Sequence, residues 1–162
     1  MIVLGIDPGT ARTGYGLVRL DGHRLQVLDY GCLETPSTMV LPQRLLLIEQ
    51  GLTVLIADHA PDVVAVERIF FKRNVQSAFA VGQARGVILM VSARSGLPVA
   101  EYAPHEVKQA VTGYGRADKG QVQRMVQTIL GLAVLPRPDD AADALAIAIC
   151  TAHAYRAEAL PA

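Results

Sequence analysis

The chain contains no tryptophan and only three phenylalanines and five tyrosines, so aromatic residues make up 5% of its 162 positions. Cysteine is equally scarce. Cys32 and Cys150 stand far apart in apolar surroundings, which excludes a disulfide-stapled scaffold or a cysteine zinc site and leaves both as small buried hydrophobes. Apolar runs stop well short of the roughly 18 residues that a membrane span needs. The opening MIVLGIDPGT reaches Asp7 with no basic segment before it, so neither a membrane span nor a secretory leader is expected, and the protein reads as soluble and cytoplasmic. Net charge is absent too, with 15 basic and 15 acidic residues, which argues against a uniformly basic nucleic-acid-binding protein.

The distribution of those charges is uneven. Residues 1–67 carry four basic and eight acidic side chains, 68–137 carry ten and three, and 138–162 carry one and four, giving −4, +7 and −3. Scatter accounts for such blocks, and so does a phosphate-attracting surface around a site that collects carboxylates.

With 51% apolar residues the length suits one α/β domain, placed at residues 1–156 with a short tail at 157–162. Residues 2–6, IVLGI, form a short apolar run that ends at the turn signal Asp7-Pro8-Gly9. Residues 14–20 and 24–35 are strand candidates joined by Asp21-Gly22, a hairpin turn. Leu41, Leu45, Ile48, Leu52 and Leu55 then mark a helix. VVAV at 63–66 is a buried strand ending in Glu67. A long helix over 74–95, a strand over 98–102 and a short helix follow. Next come the glycine-rich TGYGRADKG and a helix that carries Val122, Met125, Val126 and Ile129 on one face. The last helix, 139–155, is apolar almost all round. The order is that of a layered α/β sheet whose first three strands are antiparallel, flanked by helices.

Three acids, Asp139, Asp140 and Asp143, stand at the mouth of that last helix. The helix macrodipole favours negative charge there by roughly 0.3 to 1 kcal/mol per residue. It does not account for Asp143, which shares a face with Asp140 at i, i+3 and repels it. Asp7 and Glu67 each end an apolar strand, where ligand and catalytic groups of open α/β sheets gather. A single strand-end acid is most simply a solvated cap. Four acids converging would repel strongly unless cations neutralise them. Only oxygen donors are available, since His23, His59, His105 and His153 share no ligand spacing, which favours Mg²⁺ or Mn²⁺ over Zn²⁺.

The segments GIDPGTARTGYG, VERIFFKRN, AVGQARG, EVKQAVTGYGRADKGQVQ and DAADALAIAI together resemble the RuvC family of Holliday-junction resolvases, over residues 1 to about 154. The resemblance implies a ribonuclease-H-like fold and a homodimeric, Mg²⁺-dependent endonuclease that nicks two strands of like polarity symmetrically across a four-way DNA junction. Asp7, Glu67, Asp140 and Asp143 match its four catalytic, metal-binding acids, and Asp139 is left as a helix cap or spare acid. Two Mg²⁺ ions, with Mn²⁺ as a possible substitute, would serve in-line hydrolysis that leaves a 5′-phosphate and a 3′-hydroxyl, in DNA recombination and repair. A branch-migration motor, RuvA and RuvB, is the further partner the resemblance implies.

By the same resemblance Phe70 wedges against bases at the junction centre, and Lys108 and Lys119 sit near the scissile phosphate, although each lysine alone would be an ordinary solvated one. Lys72, Arg73 and Arg116 are backbone contacts. Phe71 is divided between DNA contact and core packing. Gly82 and Gly86 allow a close approach, either of the chain's own sheet or of a second copy. Three rivals stand beside this assignment. GIDPGT also resembles the phosphate-binding turn of actin-like ATPases and sugar kinases, which need a second domain for which 162 residues leave little room. A non-catalytic DNA-binding module and a ribonuclease of the same fold are the others.

Overall fold

The computed structural model describes residues 1–68 and 75–158. Three consecutive strands, β1 (Ile2–Asp7), β2 (Arg12–Asp21) and β3 (Arg24–Glu34), form an antiparallel meander. Helix α1 (Leu41–His59) crosses to β4 (Val63–Glu67), which lies parallel to β1, and α2 (Val75–Arg94) crosses to β5 (Val99–Tyr102), parallel to β4. The sheet order is β3-β2-β1-β4-β5. Helices α3 (Pro104–Thr112), α4 (Lys119–Leu130) and α5 (Asp139–Glu158) complete the chain. Among the described residues no helix is long and apolar enough to cross a membrane.

Two apolar layers sandwich the sheet, and strand periodicity assigns residues to them. Leu4, Ile6, Leu17, Val64 and Val66 pack with Ile48, Leu52 and Leu55 of α1 and Ile88 and Val91 of α2. Val3, Val18, Val63 and Ala65 pack against α3, α4 and α5. The α1 stripe foreseen from the sequence is the buried one, with Leu41 and Leu45 partly covered at its start. The α4 stripe is rotated from expectation. Met125 is 37% exposed, while Gln123 is buried beside Val122 and Val126. A buried amide is tolerated there because Gln123 Nε2 donates to Asp139 Oδ1 at 3.0 Å. Cys150 is buried as foreseen, whereas Cys32 is only partly covered because β3 is an edge strand.

Helix α5 lies nearer to the sheet than ordinary side chains permit. A Cβ on Gly5 would lie 2.2 Å from the Ala144 carbonyl oxygen, one on Gly14 2.1 Å from that of Asp140, and one on Gly16 2.8 Å from the Leu145 nitrogen. These glycines of β1 and β2 form a seat for the first turns of α5, whose own contact residues Ala144, Leu145 and Ala148 are fully buried. Because the clash at Gly14 is with backbone, no rotamer change relieves it. Gly14→Ala is therefore expected to destabilise the fold by about 2 kcal/mol or more, measured by urea denaturation, and a loss under about 0.5 kcal/mol would show that α5 is not held at this depth.

Candidate active site

The alternation that sends Val3 and Gly5 towards α5 also sends Asp7 there, and the alternation that sends Val63 and Ala65 there does the same for Glu67. The parallel register pairs Ile6 with Val66, so the two acids follow side by side at the ends of neighbouring strands. Across them α5 brings its first turn: the Asp140 backbone rests over Gly14 and the Ala144 backbone over Gly5. Asp143 thereby enters a cavity of about 280 Å³ whose lining includes Asp7, Glu67, Lys108 and Lys119, with Val107, Val122 and Ile147 as its apolar wall.

Two cations border the acids. Lys108 extends from α3, which is anchored by buried Val107 and Val111. Lys119 is the first residue of α4, and its place is set by a reciprocal cap in which Asp118 Oδ1 accepts the Gln121 N–H at 2.8 Å and Gln121 Oε1 accepts the Asp118 N–H at 2.9 Å. From there Lys119 Nζ reaches Asp143 Oδ2 at 3.2 Å and Asp139 Oδ2 at 3.5 Å.

The charge balance of the site is still negative. Burial, then the charges of Asp143, Asp140 and Glu67, push the Asp7 carboxyl up to about 8, against an opposing pull from Lys119. Burial and the charge of Asp143 raise Glu67 above the usual glutamate range, and Lys108 draws it back. Burial also raises Asp143, with Lys119 opposing and Asp140 and Asp139 adding to the rise. Burial works against the Lys119 ammonium, but Asp143 and Asp139 outweigh it and hold its pKa above the ordinary lysine value. Such mutual repulsion is the mark of carboxylates gathered for a charged ligand. An all-oxygen donor set of this kind suits a hard divalent cation. Among the described residues, however, no three His, Cys, Asp or Glu side chains already surround one ion position. The acids are brought within electrostatic reach of one another without being pre-set as a cage, and ligation would require side-chain rotation.

Of the residues singled out from sequence, Asp7, Glu67, Asp143, Lys108 and Lys119 line one cavity. Asp140 does not line it, yet its charge is felt by Asp7 and Asp143. Arg116 is exposed in the loop between α3 and α4, outside the cavity lining. Phe70, Phe71, Lys72 and Arg73 lie outside the described residues. Asp139 uses its carboxylate on Gln123, Arg137 and Lys119. Sequence reasoning missed the seat of Gly5, Gly14 and Gly16 and the partner Gln123. The glycines had a usable signal, since two alternate along β2 opposite an alanine-rich helix. Gln123 had none. Neither cysteine offers a nucleophile: burial, then Asp140, pushes the Cys32 thiol up to about 11, and burial pushes Cys150 up to about 12.

A five-stranded sheet of this order, with acids from two neighbouring strand ends meeting the first turn of a helix laid across them, defines an α/β protein of the ribonuclease-H-like class with a polyacidic centre. Residues 3–151 match the family of the crossover junction endodeoxyribonuclease RuvC. The chain belongs to the RuvC family. It is 58% identical over 156 residues to the RuvC of Syntrophomonas wolfei, covering 96% of this chain and 91% of that one. With the RuvC of Chloroflexus aggregans it shares 58% identity over 160 residues, 99% and 96% of the two chains. Among solved structures it resembles Thermus thermophilus RuvC in complex with a Holliday junction substrate, with a TM-score of 0.93, 38% identity and coverage of 98% and 96%. The yeast mitochondrial Holliday junction resolvase Ydc2 shares the fold at a TM-score of 0.67 and 15% identity.

Proposed function

We propose that this chain resolves four-way DNA junctions, nicking two strands of like polarity symmetrically by metal-assisted hydrolysis that leaves a 5′-phosphate and a 3′-hydroxyl. As a member of the RuvC family it is a nuclease acting on Holliday junctions, and the likeness to a junction-bound relative supports junction DNA as the substrate. The observation that carries the site assignment is the meeting of Asp7, Glu67 and Asp143 with Lys108 and Lys119 in one cavity.

RuvC-family nucleases depend in general on divalent metal. In this assignment Asp7, Glu67, Asp140 and Asp143 would hold two Mg²⁺ ions, with Mn²⁺ as a possible substitute. Bound divalent metal supplies charge neutralisation at the phosphate and lowers the pKa of an attacking water. Lys108 and Lys119 hold phosphate oxygens at the rim as compact point charges and stabilise charge that develops on them. Phe70 stacks on a base at the junction centre, and Lys72, Arg73 and Arg116 contact the backbone, which makes affinity salt-sensitive.

Symmetric cutting calls for a two-fold particle. Phe79 and Met90, 67% and 46% exposed, share one stripe of α2 with Gly82 and Gly86, and a Cβ on Gly86 would meet nothing within 4 Å. That stripe is the proposed homodimer contact. A single nuclease domain at residues 1–156, delivery of the junction by RuvA and RuvB and a cytoplasmic location complete the proposal.

The test is cleavage of a labelled immobile junction, a linear duplex and an RNA–DNA hybrid, each with Mg²⁺ and with EDTA. Paired symmetric nicks in the junction alone, lost in EDTA, are expected. Tight junction binding without cutting in Mg²⁺ or Mn²⁺ would overturn the assignment in favour of a binding module, and preferential loss of the hybrid's RNA strand would overturn it in favour of a ribonuclease.

A further inference from the structure

We infer that Asp139, the acid at the α5 mouth not assigned to metal, is a positioning residue that holds Lys119 at the rim of the cavity. The inference rests on the catalytic roles proposed above for Lys119 and Asp143.

The two oxygens of Asp139 have separate tasks. Oδ1 accepts from Gln123 Nε2 at 3.0 Å and from Arg137 Nη1 at 2.6 Å, while Oδ2 faces Lys119 Nζ at 3.5 Å. Gln123 and Lys119 stand at i, i+4 on α4 and project from one face. Gln123 is buried and therefore fixed. The carboxylate is thus clamped on one side by a rigid amide and a guanidinium, and its remaining oxygen is turned to the ammonium.

Lys119 needs such a hold. As the first residue of α4 it carries its charge at the helix end where the macrodipole repels cations. Its side chain is 53% exposed, with four bonds free to rotate in solvent. Its other partner is Asp143 at 3.2 Å, and an Asp143 that binds cation has less charge to offer an ammonium. Asp139 is the partner to which no cation is assigned, and its Oδ2 is left to Lys119 while Oδ1 serves Gln123 and Arg137. In the working enzyme it keeps Lys119 beside the cavity, where Nζ meets phosphate.

The test is a double-mutant cycle on single-turnover junction cutting at saturating enzyme, using Asp139→Asn, Lys119→Ala and the double variant. Asparagine keeps an oxygen for Gln123 and Arg137 and loses the charge that Lys119 uses. Asp139→Asn alone is expected to slow cutting about three- to fivefold, the scale of one exposed ion pair, with melting temperature and junction affinity in EDTA unchanged. In the Lys119→Ala background the same substitution is expected to change nothing further, since its effect runs through the missing ammonium. An equal slowing in both backgrounds would overturn the proposal, as would an Asp139→Asn enzyme as fast as wild type. A loss of melting temperature in the single variant would overturn it too, by making Asp139 a folding residue. If wild-type protein fails to cut junctions at all, the resolvase assignment fails instead, and the two failures are distinguishable.

Discussion

Asp143→Asn is expected to slow single-turnover cutting of a four-way junction by about 10³-fold while leaving junction binding in EDTA within about twofold of wild type. The substitution is nearly isosteric, so the seat of α5 on Gly5, Gly14 and Gly16 is untouched. What it removes is the charge at the centre of the acid group. Asp143 raises the pKa of both Asp7 and Glu67 and holds the Lys119 ammonium at 3.2 Å. An amide cannot take a cation with comparable affinity, and it leaves Lys119 tied to Asp139 alone. Cutting of a labelled junction by enzyme in excess, with a parallel gel-shift titration, separates chemistry from binding. A loss of less than about tenfold would remove Asp143 from the catalytic set. An equal loss of binding would show that it holds DNA or structure.

The second large effect concerns stability and runs opposite to the usual cost of a core substitution. The Asp7 carboxyl stands at about 8 in the folded protein against 3.8 for an ordinary aspartate. Between those values this carboxyl holds its proton more tightly in the folded state than in the unfolded one, so the Asp7 contribution to metal-free stability is full below about pH 4 and is lost as pH rises towards 8. Asp7→Asn removes this titration. In EDTA the variant is expected to lie within about 1 kcal/mol of wild type near pH 4.5 and to be more stable at pH 8 by about 2 kcal/mol or more. Urea unfolding at the two pH values measures the difference. Saturating Mg²⁺ should raise the stability of wild type at pH 8 more than that of the variant, since bound cation relieves the same repulsion. An Asp7→Asn protein less stable than wild type at pH 8 would mean that Asp7 serves the fold as a hydrogen-bonded structural acid.

These expectations depend on features of unequal visibility in the sequence. The strands and helices were legible because each announces itself within a few residues. IVLGI and VVAV are short apolar runs closed by an acid, Asp21-Gly22 turns a hairpin, and the spacing of Ile48, Leu52 and Leu55 is helical. The acids were legible too, because strand ends and helix mouths are places where a carboxylate in an apolar setting stands out. The face that Asp7 and Glu67 share was implicit in the period of two. The rotation of α4 was not legible, because it depends on whether buried Gln123 finds a hydrogen-bond partner, and Asp139 lies 16 residues further on across a packing interface.

By itself, then, the sequence determined the order and type of the elements, the antiparallel opening of the sheet and the identity of the candidate acids, all properties written in local periodicity and turn chemistry. Only the tertiary structure decided that α5 sinks onto three glycines, that Lys119 reaches Asp143 while Arg116 stays outside the cavity, and that the Asp139 carboxylate meets Gln123, Arg137 and Lys119. The physical reason is that local patterns reflect the conformational preferences of neighbouring residues. The depth of a helix on a sheet and the partner of a charge are instead set by backbone clearance and desolvation between segments that meet only when the chain is folded.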